Sequence, residues 1–323
     1  MQYLQYLLLL SGLFFGWSLG ANDAGNVFGA AVATRVIKYR TATIIISVFV
    51  ILGACTSGYQ NITKISGFAQ TNGVDLSVEA FLVLLAAAVT VTTMTVLRIP
   101  VSASQCVIGA LVGWGISCNT TDWGKTGEFV IAWLINPFIG VAICFVLTFI
   151  VTRFLEKSLH KLIVYDYVIK IGYWIAGIFA SYTMGVNNVA YATGMFVGDN
   201  NLLQNRFIAA ILGSAAIAIG VLTFSRRVMT AIGTSVTQLT DLTGLLVVIS
   251  SALAIITSNK IMGVPVPIAH ATIGALIGTG LVRGADNVNF KSVKNILIAW
   301  VVSPTSAGFL TFLMGTVYKA IIN

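Results

Sequence analysis

The sequence predicts an all-α integral membrane protein of about 10–12 transmembrane segments, arranged as two inverted-topology repeats with broken helices and re-entrant hairpins. Three observations support this fold class. The chain is 57% hydrophobic and only 9% charged, its mean hydropathy is +0.94, and two short motifs recur at one fixed spacing. Because so much apolar surface would be unstable in water, the expected medium is a lipid bilayer.

Two motifs each occur twice, and each second copy lies 165 residues after the first. GANDAGN at residues 20–26 corresponds to GVNNVAY at 185–191, and PVSASQ at 100–105 corresponds to PVPIAH at 265–270. Two independent motifs at one spacing indicate a duplicated chain. The sequence therefore divides into a first repeat (residues 1–152), a cytoplasmic linker (153–167) and a second repeat (168–323).

Apolar stretches long enough to cross a membrane follow one another along both repeats. Judged against the roughly 20 residues that one crossing requires, they fall at about 3–34, 42–58, 78–97, 105–117 and 128–152, then at about 168–198, 207–225, 242–258, 268–282 and 295–318. The first stretch of each repeat contains the Gly-Asn motif, where we expect the helix to break. The fourth is short and follows a proline-containing segment. Interrupted or short spans at matching places in two halves indicate a transporter's binding site.

The basic residues predict the topology. With both termini outside and five crossings per repeat, most of the 18 basic residues, including Arg35, Arg226 and Arg227, lie in inside loops, as the positive-inside rule requires. An odd number of crossings inverts the second repeat relative to the first. The segment from Arg153 to Lys170 is expected to be either a short amphipathic helix on the inner surface or a solvated connector.

Several other classes of protein are disfavoured. The net charge is +8, but there is no basic helix, so loops beside a membrane explain it better than nucleic-acid binding. The four cysteines have no C-x-x-C spacing, so neither a metal site nor a disulfide framework is expected. The first twenty residues resemble a signal peptide but lack a basic leading segment, and we expect no cleavage there.

Asp23 is the strongest candidate for a functional residue. It lies inside an apolar stretch, where an uncompensated charge costs at least about 2.5 kcal/mol, so it requires a cation or a proton. Asn22 and Asn26 add carbonyl oxygens, and a helix broken at Gly20 or Gly25 would expose backbone carbonyls. Such oxygens suit a hard cation such as Na⁺. The alternative is that the Asn-Asp pair caps a helix, but the repeated motif favours a functional role.

The second motif supplies groups that suit an anion. Ser102, Ser104 and Gln105 follow Pro100, and His270 and Thr272 occupy the second copy. A proline followed by small polar residues predicts a helix start, whose free backbone N–H groups favour an oxyanion. A hydrogen-bonded core histidine is the simpler alternative for His270, although its position corresponds to that of Gln105.

These motifs and their duplication resemble the inorganic phosphate transporter (PiT) family of cation-coupled secondary carriers, over nearly the whole chain. The resemblance implies phosphate uptake across the cytoplasmic membrane, coupled to Na⁺ in some members and to H⁺ in others. It implies no enzymatic activity and no organic cofactor. By motif position, it implies functional roles for Asn22, Asp23, Asn26, Ser102, Ser104, Gln105, Asn187, Asn188 and His270. Together with the chemistry of the two motifs, this predicts phosphate binding by Ser102, Ser104, Gln105, Asn187, Asn188, His270 and Thr272, and sodium binding by Asn22, Asp23, Asn26, Asn187 and Asn188.

The chain departs from the family pattern in three places. Asn188 stands where the pattern has Asp, Tyr191 where it has Asn, and Pro267 where it has Ser. One fixed negative charge is thereby lost, so Asp23 is expected to dominate cation binding while the second repeat helps to close the anion site.

Several alternatives remain open from the sequence. Sulfate is the rival substrate because it is a tetrahedral oxyanion of similar size, and H⁺ is the rival coupling ion. An anion channel would also line a pore with helix ends and hydroxyls. An intramembrane protease is disfavoured because neither a G-x-S-x-G motif nor a Gly-Leu-Gly-Asp type motif is present. The many glycines leave a homo-oligomer open.

Overall fold

The computed structural model describes residues 6–75, 77–97, 99, 101–154, 162–198, 202–232 and 236–322. Within these ranges the regular secondary structure is α-helical, apart from two 3-10 turns and one isolated bridge between Val197 and Leu203, and the helices are joined by short loops and extended segments. The all-α membrane fold class is therefore confirmed. Arg98, Pro100 and residues 155–161 of the predicted linker lie outside the described residues.

The helices follow the same order in the two repeats. The first repeat contains α1 (Leu9–Ala33), α2 (Tyr39–Ser57), α3 (Tyr59–Thr71), α4 (Ser77–Val96), α5 (Ala103–Cys118) and α6 (Trp123–Phe154). The second contains α7 (Leu162–Thr193), α8 (Arg206–Phe224), α9 (Arg226–Ile232), α10 (Asp241–Met262), α11 (Ile268–Val282) and α12 (Phe290–Ile322). The amphipathic helix expected over 153–170 is not a separate element in its described part, because residues 162–170 begin α7.

Six of these helices are long and apolar enough to cross a membrane, namely α2, α4, α6, α8, α10 and α12, while α5 and α11 are shorter apolar helices. The most apolar window of α10 is 72% buried inside the protein, whereas that of α6 is 22% buried. Phe138 on α6 and Val301 on α12 are largely exposed. Helix α10 is therefore central, and α6 and α12 present apolar side chains to lipid.

The predicted helix break at the Gly-Asn motifs is wrong. Helices α1 and α7 continue without interruption through residues 20–26 and 185–191. The glycines instead allow close helix packing, because a Cβ on Gly20 would clash with the carbonyl oxygen of Ile217 in α8. A Cβ on Gly185 would clash in the same way with Val50 in α2.

The interruptions lie elsewhere in the fold. Gly58 separates α2 from α3, and Ser225 separates α8 from α9. Extended backbone leads into the short helices α5 and α11, with Ser102 and Pro267 as their N-cap residues. The prediction that the fourth span of each repeat is short and follows a proline-containing segment is confirmed for α11, and α5 matches it in length.

The two repeats pack into each other through reciprocal contacts. Trp17 Nε1 on α1 donates to Thr223 Oγ1 on α8 at 2.8 Å, and the equivalent Tyr182 hydroxyl on α7 pairs with Thr56 Oγ1 on α2 at 2.9 Å. Helix α5 likewise packs along α12, and α11 along α6. Such exchange of equivalent contacts is the signature of two-fold related units. Each repeat thus completes the packing of the other.

Gly20→Ala should destabilise the protein, because the added methyl group meets backbone of α8 that has no rotamer by which to move away. Overpacking of this kind costs about 1–3 kcal/mol, so the thermal unfolding midpoint in detergent should fall. Gly127→Ala is the control, since no atom lies within 4 Å of a Cβ placed there. Equal midpoints for the two variants would contradict the close approach of α1 and α8.

Candidate functional site

The centre of the site is the carboxylate of Asp23, which is only 5% exposed on α1. Three amide side chains donate hydrogen bonds to it. Asn22 and Asn26 bind Oδ1 at 2.9 Å and 3.5 Å, and Asn188 on α7 binds Oδ2 at 2.7 Å. A hydrogen bond to a charged group contributes about 1.5–3 kcal/mol, so these amides offset part of the cost of burying the charge. The Asn188 bond also joins the two repeats.

The asparagines of the second repeat reproduce the arrangement of the first. Asn187 Nδ2 donates to Asn188 Oδ1 and to the carbonyl oxygen of Val266, both at 2.9 Å. Asn22 Nδ2 makes the equivalent bonds to Asp23 and to the carbonyl oxygen of Val101, the latter at 3.2 Å. The site therefore does receive backbone carbonyls, but they come from the extended segments before α5 and α11 rather than from a broken α1.

Asn259 on α10 is a site residue that the sequence did not reveal. Its Nδ2 donates to Asn187 Oδ1 at 3.2 Å, and its Oδ1 accepts from the backbone N–H of Val266 at 3.0 Å. It thus fixes both the amide of Asn187 and the extended segment that this amide contacts. Comparison of the two repeats could not identify Asn259, because the corresponding residue of the first repeat is the apolar Met94.

Two further residues hold the extended segment before α11. The Tyr191 hydroxyl donates to the carbonyl oxygen of Pro265 at 3.0 Å, and Asn136 Nδ2 on α6 donates to that of Pro267 at 2.8 Å. Tyr191 is one of the departures from the family pattern, and here it has a positioning role. Asn136 belongs to a stretch, AWLINP at 132–137, that recurs as AWVVSP at 299–304.

The residues predicted to bind phosphate are buried around the starts of α5 and α11. Ser102, Ser104 and Gln105 are all buried, and within the described residues Ser102 Oγ and Gln105 Oε1 have no hydrogen-bond partner. Thr272 is also buried, and its hydroxyl donates to the carbonyl oxygen of Ile268 in its own helix at 3.1 Å. Leaving a buried polar atom without a hydrogen-bond partner costs about 1–3 kcal/mol of folding free energy. Such unpartnered atoms are typical of a site that a bound ligand completes.

His270 is held in one orientation by two tryptophans. Its Nδ1 lies 2.9 Å from the carbonyl oxygen of Trp133, and its ring stacks on Trp300 at 3.6 Å between centroids. Because a carbonyl only accepts hydrogen bonds, Nδ1 carries the hydrogen and Nε2 of the neutral ring is an acceptor. In the described part of the chain this buried Nε2 has no partner. Gln105 and His270, equivalent in the two repeats, therefore each present an unsatisfied acceptor.

A cavity of about 670 Å³ reaches the site from one face of the protein. It extends from buried Asn22 and Asn26 to exposed Arg227 and Asn295, on the face that the basic residues assign to the inside. Val101 and Ala269 line it, whereas their neighbours Ser102 and His270 lie behind its wall. A second void of about 10 Å³, room for roughly one water molecule, lies between Asn26 and Thr272.

The structure thus brings the residues predicted to bind sodium into one hydrogen-bonded network, namely Asn22, Asp23, Asn26, Asn187 and Asn188. It places the other residues predicted to bind phosphate next to this network rather than on the surface of the open cavity. The arrangement offers oxygen ligands and amide donors but, among the described residues, no nucleophile activated by a neighbouring base.

Comparison with known proteins gives consistent matches over most of the chain. The model of the phosphate transporter family matches residues 19–311. Sulfate permease CysP of Bacillus subtilis is 29% identical, over 96% of this chain and 87% of its own length. A Pyrococcus abyssi protein provisionally named as a phosphate permease is 26% identical, over 94% of this chain and 95% of its own length.

A solved structure described as the sodium-dependent phosphate transporter has the same fold. It superposes with a TM-score of 0.80 at 21% sequence identity, over 98% of this chain and 99% of that one.

Asn259→Ala should lower stability by about 1–3 kcal/mol, because it leaves the N–H of Val266 and Oδ1 of Asn187 without their partners. Thermal unfolding in detergent measures the change. Thr257, on the same helix, takes part in none of these hydrogen bonds, so Thr257→Ala should lower stability less. Equal losses in the two variants would show that Asn259 does not hold the site together.

Proposed function

Because the chain belongs to the phosphate transporter family, and is accordingly a membrane transporter rather than an enzyme, we propose that it carries inorganic phosphate across the cytoplasmic membrane by Na⁺-coupled symport. Family membership confirms the resemblance seen in the repeated motifs. The observation that carries the proposal is the Asp23–Asn188 hydrogen bond, which joins the two repeats at the inner end of the cavity.

The oxygen atoms at and around Asp23 suit a sodium ion as the coupling ion. The carboxylate, the amide oxygens of its asparagine neighbours and the carbonyls of Val101 and Val266 are hard oxygen ligands, which Na⁺ prefers. In the structure the amides turn their nitrogens toward Asp23. An amide carries an acceptor beside its donor, so rotation of these side chains would present oxygen to an arriving cation.

The unsatisfied acceptors favour phosphate over sulfate. Gln105 Oε1 and His270 Nε2 need hydrogen-bond donors, and a protonated phosphate supplies a P–OH group, which sulfate lacks at neutral pH. Ser102 Oγ, as both donor and acceptor, would bind an unprotonated oxygen of the same anion. The bound cation would neutralise the remaining negative charge.

The reciprocal packing of the repeats supports alternating access as the mechanism of transport. In this conformation the cavity leads to Asn22 and Asn26 from one face. Rocking of the two-fold related repeats about the central contact would close this path and open the equivalent one beside Asn187. This would require the repeats to have inverted topology, with the axis in the plane of the membrane.

Two alternatives are favoured by specific observations. The similarity to sulfate permease CysP supports sulfate as a substrate. Among the described residues, Asp23 accepts hydrogen bonds from amide side chains alone. Protonation rather than Na⁺ binding would also neutralise it, which would make the carrier proton-coupled. Uptake driven by a pH gradient in the absence of Na⁺ would establish the second alternative.

Asp23→Asn should abolish concentrative phosphate uptake driven by an inward Na⁺ gradient, because it removes the negative charge that attracts the cation. Radiolabelled phosphate uptake into proteoliposomes measures this. Asp241→Asn, the same substitution at the start of α10, is the control and should retain uptake. Full Na⁺-driven accumulation by Asp23→Asn would exclude Asp23 from coupling, and accumulation by the wild type without a gradient would exclude Na⁺ as driver. Uptake that never exceeds equilibrium would instead indicate a channel.

His270→Leu should raise the KM for phosphate roughly tenfold, as expected for loss of about 1.4 kcal/mol of hydrogen bonding, while inhibition by sulfate changes little. His270→Gln restores an acceptor of the kind found at Gln105 and should keep the preference for phosphate. Competition between labelled phosphate and unlabelled sulfate measures both variants. Equal loss of phosphate and sulfate recognition in His270→Leu would assign the histidine a purely structural role.

A further inference from the structure

The mouth of the cavity contains a positive charge that the central site does not use. Arg227 lines the cavity near its outer end, and it is the one charged residue among the described residues that do so. Its guanidinium forms no hydrogen bond or ion pair within the described parts of the chain. Ser292 and Asn295 line the same mouth and offer a hydroxyl and an amide donor, whereas the hydroxyl of Thr230, which also lines it, donates to the backbone carbonyls of Arg226 and Arg227.

This combination matches the chemistry of an oxyanion. A guanidinium binds a tetrahedral anion through two parallel hydrogen bonds. A cleft with one sign of charge and apolar walls also concentrates counter-ions near that charge, and the walls here include Val96, Ile99 and Phe224. With no carboxylate among the described lining residues, nothing at the mouth opposes binding of an anion there.

No arginine occupies the corresponding position of the first repeat. At the spacing of 165 residues that relates the motifs, Arg226 and Arg227 on α9 correspond to Asn61 and Ile62 on α3, and the nearest basic residue of α3 is Lys64. The position equivalent to Arg227 is therefore apolar. If the repeats exchange roles during transport, only one of the two mouths carries the arginine.

We propose that Arg227 forms an outer anion-binding site at one mouth of the transport path, which holds phosphate between the central site and solution. This inference rests on the proposed phosphate transport. Because Arg227 lines the mouth on one face, the site raises apparent phosphate affinity on that face. Phosphate released there rebinds readily, so net transport toward that face slows as phosphate accumulates on it.

Arg226 provides a matched control for this site. It carries the same charge one residue away, but its guanidinium lies over the Tyr39 ring, 5.8 Å from the ring centroid, and it does not line the cavity. Arg226→Gln and Arg227→Gln therefore change the net charge equally and differ only in which side chain is lost.

The experiment measures the half-saturating phosphate concentration on each face of sided proteoliposomes. Arg227→Gln should raise this value up to roughly tenfold on the Arg227 face, weaken its dependence on ionic strength, and leave the other face unchanged. Arg227→Lys should lie between wild type and Arg227→Gln, and Arg226→Gln should match wild type on both faces.

Two results would overturn the inference. Equal values for Arg227→Gln and Arg226→Gln, or an equal shift on both faces, would show that Arg227 holds no anion at one mouth, while the proposed function would stand. Absence of phosphate transport by the wild type would overturn the proposed function and this inference with it.

Discussion

The burial of one carboxylate constrains the whole arrangement. Asp23 lies among apolar helices, and losing a hydrogen bond to a buried charge costs about 1.5–3 kcal/mol. One of its three amide partners, Asn188, belongs to the other repeat, so the repeats cannot separate at this point unless something replaces that hydrogen bond. In the proposed mechanism a cation is that replacement, which would link ion binding directly to movement of the repeats.

The sequence predicted the parts of the fold that duplication makes visible. The shared spacing placed Asn22 with Asn187, and the structure gives these two residues the same pair of hydrogen bonds. Helix continuity was not predictable in the same way. A glycine inside a helix costs about 1 kcal/mol, so Gly20 suggested a break. The close contact of Gly20 with Ile217 compensates for this cost, but Ile217 is far away in sequence.

The site was predictable where chemistry and repetition coincided, and less so elsewhere. Asp23 stood out as an acid in an apolar stretch, and Gln105 and His270 stood out by their equivalent positions. Asn259 has Met94 as its counterpart, so neither criterion identified it. Helices α3 and α9 escaped prediction because, at 13 and 7 residues, they are shorter than the roughly 20 residues by which a crossing is recognised.

The packing of α5 against α12 has a consequence for biosynthesis. The two helices are separated by the whole of residues 119–289, which a ribosome adds in roughly 10–30 seconds. During that interval α5 has already been synthesised, while Gly109 still lacks the backbone of Pro304 that it later contacts. Assembly of the first repeat therefore cannot finish as it is translated. Its packing is completed only when the last helix is present, and until then lipid contacts the face of α5 that contains Gly109.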